Sequence, residues 1–188
     1  MIKIDKEIDE KRICQGDIIA NVEFIEYAIE KNGQIEISKI VFPYVYVLTQ
    51  DCDLEQEYNN KVNENATNQD KHLISVIVAP LYNIEHVYDG THLEDINLKM
   101  QIISRKESSS DNKILKQNNN PRFHYLGFPE DIQITNSVID FKHYFTVNHN
   151  VLFNSKKQNF VCKVSELFRE NISHRFASFL SRIGLPNV

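Results

Sequence analysis

Phe42-Pro43-Tyr44-Val45-Tyr46-Val47-Leu48-Thr49-Gln50-Asp51-Cys52-Asp53-Leu54 begins as an uncharged aromatic and β-branched run and ends on two acids flanking a thiol. Side chains of that kind fill a pleated surface covered on both faces, so Tyr44 to Thr49 reads as a central strand. Gln50, Asp51, Cys52 and Asp53 then fall at the strand's end, where small β-domains keep the groups that bind or react. Upstream, Phe24 to Ile29 and Gln34 to Val41 flank Lys31-Asn32-Gly33. Asn-Gly between apolar alternations predicts a hairpin, because both residues tolerate positive φ. Gly16 and Asp17 supply a turn feeding a strand through Val22. Downstream, His72 to Pro80 reads as another buried strand, closed by a proline that cannot donate to a ladder.

Glu55 to Asp70 is Asn, Glu, Gln and Lys with almost no apolar residue, which predicts a solvated loop insertion. Leu93, Ile96 and Met100 stand at helical spacing and predict a helix begun near Thr91. Ser108-Ser109-Ser110-Asp111 caps a short helix through Ile114 and Leu115, broken by Asn118-Asn119-Asn120-Pro121. Arg122 to Phe128, Ser137 to Asn148 and Asn159 to Val164 read as strands, with a turn at Pro129-Glu130-Asp131. Ser165 N-caps a last helix whose apolar face is Leu167, Phe168, Ile172, Phe176, Phe179, Leu180 and Ile183, stopped by Gly184-Leu185-Pro186. With 188 residues and 22.0 kDa the chain suffices for one well-buried core. The expected organisation is a single domain over 1–188. It comprises a barrel core at 13–82 with the 55–70 insertion, an elaboration at 83–164 and a core-docking helix at 165–183.

The composition is that of a globular protein, 41% hydrophobic and 25% charged, without the ~20 apolar residues in a row that a bilayer crossing needs. Met1 to Glu10 alternates charge with isoleucine and lacks the apolar stretch of a secretory signal, so a cytoplasmic protein is expected. A net charge of -5 and a pI near 5.8 oppose the electrostatic footprint of nucleic-acid binding. The expected partner is another protein or a second copy of the chain, and not a membrane. Cys14, Cys52 and Cys162 form no Cys-x-x-Cys pair, which argues against a disulfide framework or a zinc ribbon. His143 and His149, with Asp140 nearby, lack the spacing of a helical metal site, and no cofactor or metal is expected.

Gln15-Gly16-Asp17-Ile18, the strand Pro43 to Thr49 and Ser75-Val76-Ile77-Val78-Ala79-Pro80-Leu81 resemble the MazF/PemK family of toxin-antitoxin ribonucleases, over roughly residues 1–85. The resemblance implies an α+β fold built on an SH3-like β-barrel, here elaborated by extra strands and closed by the C-terminal amphipathic helix. Members of the family carry an arginine before the strand proline and a serine or threonine after the later strand, acting on the RNA phosphate and its 2′-hydroxyl. Those places are Phe42 and Tyr82 in this chain. A phenyl ring can neither stabilise phosphate charge nor transfer a proton. The resemblance therefore implies a non-catalytic regulatory or protein-interaction domain of a bacterial stress-response, toxin-antitoxin or defence system. The set Gln50-Asp51-Cys52-Asp53-Leu54, Pro121-Arg122-Phe123-His124-Tyr125-Leu126 and Arg175 to Pro186 is similar to one found in uncharacterised bacterial proteins, which implies that the two halves form one unit.

Two readings of the candidate residues stay open. In a divergent nuclease or toxin, Asp51, Cys52 and Asp53 would work with Arg122 and His124. The flanking acids raise a thiol's pKa, so an activated Cys52 needs a cation from Arg122, His124 or His143. Arg122 and His124 would share one face of their strand and could bind an anion. In the alternative, Asp51 and Asp53 cap turn amides, Cys52 packs inward as a small hydrophobe, and Arg122 neutralises an acid of the Gln50 to Asp53 segment. Tyr44, Tyr46, Phe141, Tyr144 and Phe145 read as core aromatics and not as a base-stacking platform, because the interleaving basic residues are missing.

Overall fold

The structure, a computed structural model, describes residues 1–182. Ile183 and the expected stop at Gly184-Leu185-Pro186 lie outside the described residues. The chain is α+β, with an antiparallel sheet that curls into a half-barrel and five α-helices among the described residues. It divides into two compact units. The half-barrel unit comprises Ile4–Leu81 and Tyr144–Val164; the second unit comprises Met1–Lys3, Tyr82–His143 and the chain from Ser165 onward.

In the half-barrel unit, β2 (Asp17–Lys31) and β3 (Gln34–Val47) pair from Ile18↔Tyr46 to Lys31↔Gln34. Asn32 at φ 53° and Gly33 at φ 77° close the turn, as the Asn-Gly pair predicts. β3 pairs with β4 (Ser75–Asn83), and β4 with β7 (Phe145–Asn148). On its other edge β2 pairs with β8 (Phe160–Val164), which pairs in turn with β1 (Ile4–Asp5). Inward residues of these strands, among them Ile19, Val45, Val47, Val76 and Val78, make the core with Leu54 and Leu152. Val45 to Leu48 are buried as expected, but the strand expected over Tyr44 to Thr49 is not separate: it is the end of β3, which runs from Gln34 and stops at Val47. Pro80 does not end its strand: β4 runs on to Asn83 with Pro80 opposite Val45, a position where the ladder does not depend on its missing donor.

The expected loop at 55–70 is overturned over its first half. Helix α1 (Asp51–Val62) occupies it, docked by Leu54 and Glu57, both buried. One apolar residue suffices because the rest of its inward face is polar and paired, a pattern that hydrophobic periodicity does not register. The same reason hides α4 (His149–Asn159), whose inward residues are His149, Leu152 and Lys156; the Asn148 side chain caps it by accepting from the Asn150 and Val151 amides.

The second unit opens with α2 (Ile84–Asp89), capped by Asn83 and ended by Gly90 at φ 69°. No helix starts at Thr91. A 3-10 turn, Glu94–Ile96, is all that forms there, and the Met100 amide donates to the Gly90 carbonyl instead of climbing a helix. Next come α3 (Ser110–Lys116), β5 (Phe123–Leu126) and β6 (Ser137–Asp140), the last two paired antiparallel. The single strand expected over Ser137 to Asn148 is broken by a 3-10 turn at Phe141–His143, where Asp140 accepts from the Lys142 amide. Helix α5 (Glu166–Leu180) belongs to this unit and not to the half-barrel. Its Phe176 and Phe179 rings lie 5.6 and 5.9 Å from Phe141. Ile172 and Phe176 are buried, but Leu167 and Leu180 are exposed, so its apolar face is narrower than the sequence suggests; Ser165 sits at the N-cap without a side-chain bond.

Candidate functional site

Gln50 to Asp53 do not end a strand; they start a helix. Gln50 is the N-cap of α1 in extended conformation, and Asp51 and Asp53 occupy the first turn, where carboxylates favour the positive end of the helix dipole. Asp51 is already engaged. Arg12 donates to its two oxygens at 3.0 and 3.1 Å, and the Gln15 amide donates to Oδ1 at 3.0 Å. The Gln15 side chain in turn donates to the Leu48 carbonyl at 3.1 Å, which ties the end of the central strand to the turn before β2. Cys52 is exposed and does not pack inward; its Sγ lies 3.6 Å from Gln50 Oε1 and 3.9 Å from Asp53 Oδ1. Both neighbours are acceptors, so neither activates a thiolate.

Beneath this edge lies a buried charge pair with no sequence signature. Lys156 Nζ is 2.7 Å from Asp17 Oδ2 and also donates to the Arg12 carbonyl at 2.7 Å. The Cys14 amide donates to the same Asp17 oxygen at 2.8 Å. Burial pushes the Asp17 carboxyl above the ordinary range against the pull of Lys156. It also pushes the Cys14 thiol up to about 11 and the Cys162 thiol up to about 12, with the Asp17 charge adding to both. Neither thiol is a nucleophile at neutral pH. On α1 and α4 a second cluster forms, in which Glu57 pairs with Lys61, and His149 Nε2 meets Glu57 Oε2 at 3.1 Å. Burial lowers the pKa of His149 despite the Glu57 charge.

Arg122 and His124 lie in the second unit, each held by its own surroundings. Arg122 precedes β5 and clasps the fully buried Asp140 from Nε at 2.8 and 2.9 Å and again through Nη2. Its acid is therefore Asp140 and none of Gln50 to Asp53. His124 points to the buried side of β5, where burial and the charge of Arg175 bring its pKa down to about 3. A neutral, buried imidazole does not bind an anion alongside Arg122. Asp140 continues the chain of contacts: His143 Nδ1 is 3.3 Å from its Oδ2 and 3.2 Å from the Tyr82 hydroxyl, and the His92 ring packs at a tilt on Tyr82 at 4.9 Å. Burial, reinforced by Asp140, raises the Tyr82 pKa, and burial lowers those of His143 and His92. This network orients its members, and the raised pKa keeps Tyr82 from supplying a phenolate nucleophile at neutral pH.

The aromatics divide as core residues. Tyr46 and Phe141 are fully buried, and Phe145 packs edge-on to Phe24 at 5.1 Å and against Phe42 at 5.3 Å, while Tyr144 is partly exposed. Phe42 is thus part of an aromatic cluster. Among the described residues no three His, Cys, Asp or Glu side chains converge as a metal shell, and no helix is long and apolar enough to cross a membrane. No family profile, curated protein or solved structure matches the chain.

The most exposed apolar surface of the half-barrel unit is on the β2–β3 ribbon. Cross-strand partners share a face, and the irregularity between Ile25 and Tyr27 resets the alternation of β2. Ile25, Ala28, Ile35, Ile37 and Val41 consequently stand on one side. The relative exposures are 58% for Ile25, 74% for Ile35, 57% for Ile37 and 49% for Val41. The opposite side carries Tyr27 and Ile29, also exposed, and then Phe24, Ile40 and Phe42, of which Phe24 and Phe42 pack on Phe145 at the ribbon's base. Lys39, opposite Ile25, and Glu23, opposite Val41, stand on the same side as Ile25 and pair with each other, and Glu30 stands there opposite Ile35, whereas Lys31 and Glu36 pair on the other side.

Proposed function

We propose that this protein is a protein-interaction module that docks its partner on the exposed face of the β2–β3 ribbon. In line with the resemblance of its first half, it serves a regulatory role in a bacterial stress-response or toxin-antitoxin setting, without ribonuclease chemistry. The observation that carries the reading is the row of Ile25, Ile35, Ile37 and Val41, each about half exposed or more, on a strand pair that extends beyond the core. Large apolar side chains grouped on one exposed side, here with Glu23, Glu30 and Lys39 among them, mark interaction surfaces more often than isolated ones do. Both lysines of the ribbon are paired, while Glu26 and Glu30 leave its margin acidic. The matching partner surface is apolar with a basic rim. No observation favours the rival nuclease reading, since Asp51, Arg122 and His124 are each committed within their own surroundings.

The test combines Ile35→Glu with Ile37→Glu. A photo-crosslinker at Val41, introduced in the source cells, identifies the partner by mass, and purified partner is then titrated. The double variant should lose the complex while melting as the parent does, because exposed positions tolerate substitution within about 0.5 kcal/mol. Equal affinity of the double variant would refute the reading, as would RNA cleavage abolished by Cys52→Ala.

A further inference from the structure

Among its described residues the second unit holds a charge that no acid pairs with. Arg175, on α5, donates to the carbonyls of Asn118, Asn120 and Phe123, at 2.6 Å to Asn120 and 2.8 Å to Phe123. Three carbonyls fix the guanidinium but carry no net charge, and no carboxylate pairs with it among the described residues. Its Nε is buried without a partner. A buried or half-buried arginine is ordinarily matched by an acid, because desolvating a charge is costly. Other arginines of the unit follow that rule: Arg122 has Asp140, and Arg105 has Glu85 and Asp89.

Arg175 borders a pocket of about 590 Å³ between α5 and the segment following α3. None of the residues around it is acidic. Gln117 and Asn119 come from the segment, Asn171 and His174 from the helix, and each brings side-chain N–H donors. The global charge of the chain does not oppose an anion here. Eleven Lys and Arg offset eleven Asp and Glu in this unit, whereas ten against fifteen in the half-barrel unit account for the whole of -5.

We propose that this pocket binds the phosphate group of a small phosphate monoester, with Arg175 as the charged anchor and the side-chain N–H groups of Gln117, Asn119, Asn171 and His174 as further donors around it. A phosphate presents three acceptor oxygens in three directions and suits donors arriving from two sides of a pocket, the remaining Nη1 N–H of Arg175 among them. The site is independent of the ribbon, so its test does not depend on the docking reading.

The experiment is thermal unfolding of the full chain in inorganic phosphate, against sodium chloride of equal ionic strength, with isothermal titration of the same anion. Binding to the folded state alone raises the melting temperature saturably. Asn171→Asp places a carboxylate one turn before Arg175. It should abolish the phosphate-dependent rise while melting in chloride no lower than the parent, since the new acid completes an i,i+4 pair. Asn171→Ala leaves the Arg175 clamp intact and should weaken phosphate about tenfold, the loss expected for one hydrogen bond to a charged group. A parent protein whose melting temperature responds to phosphate no more than to chloride would overturn the proposal. So would an undiminished phosphate response in Asn171→Asp.

Discussion

Replacing Lys156 by Met removes the ammonium from a pair that is almost completely buried on both sides, Lys156 and Asp17 each being 1% exposed. Methionine keeps the length and most of the volume of the stem, so the packing of α4 on β2 changes little. What remains is the Asp17 carboxylate, with the Cys14 amide on one oxygen and nothing on the other. Removing one member of a buried pair costs about 3–5 kcal/mol, against the ~5–15 kcal/mol that holds a domain folded. The loss should also depend on pH. Burial already raises the folded-state pKa of Asp17, with Lys156 as the main opposing charge. Without Lys156 the pKa rises further, so the folded variant takes up a proton that the unfolded chain releases at lower pH. A group with a raised folded pKa contributes stability in acid and loses it as pH rises through that value. Urea unfolding of parent and variant at pH 5 and pH 8 should therefore show a larger deficit at pH 8. Adding Asp17→Asn should return the protein to within about 2 kcal/mol of the parent and abolish the pH dependence, because an amide costs far less to bury than an unpaired carboxylate. A single-variant deficit below about 1 kcal/mol, or one equal at the two pH values, would refute the reasoning.

Phe176→Ala should cost about 3–5 kcal/mol in urea unfolding, because a ring that is 7% exposed and packed at a tilt on Phe141 leaves a cavity beside Phe141 that the fixed Arg175 clamp keeps from collapsing; a cost under about 1 kcal/mol would mean that α5 is not part of the second unit's core. Of the three thiols, only Cys52 should react with a thiol reagent in the native protein at pH 8, while Cys14 and Cys162, buried and with pKa pushed up to about 11 and 12, react only on unfolding. Counting labels by intact mass in buffer and in denaturant checks this, and two or more labels in buffer would contradict the burial.

The β2–β3 hairpin, the central strand Val45 to Leu48, β8 and the short helix α3 were legible in the sequence because each is specified locally. Asn32-Gly33 needs positive φ whatever surrounds it, and an uncharged β-branched run has few alternatives to a covered strand. The helices α1 and α4 were not legible. Their inward faces are made of Glu57, His149 and Lys156 as much as of leucine, and a charged residue becomes an inward one only when its partner arrives from a distant part of the chain. The candidate residues divide on the same line. That Asp51 would be functional or structural, that Cys52 would face water, and that Arg122 would take Asp140 depended on which charges the fold brought within hydrogen-bond reach. Arg175 stood in the sequence as one cation among 21 Lys and Arg residues. Only the packing of α5 against the 118–123 backbone left it without an acid, because pairing is a property of positions in space and not of order along the chain.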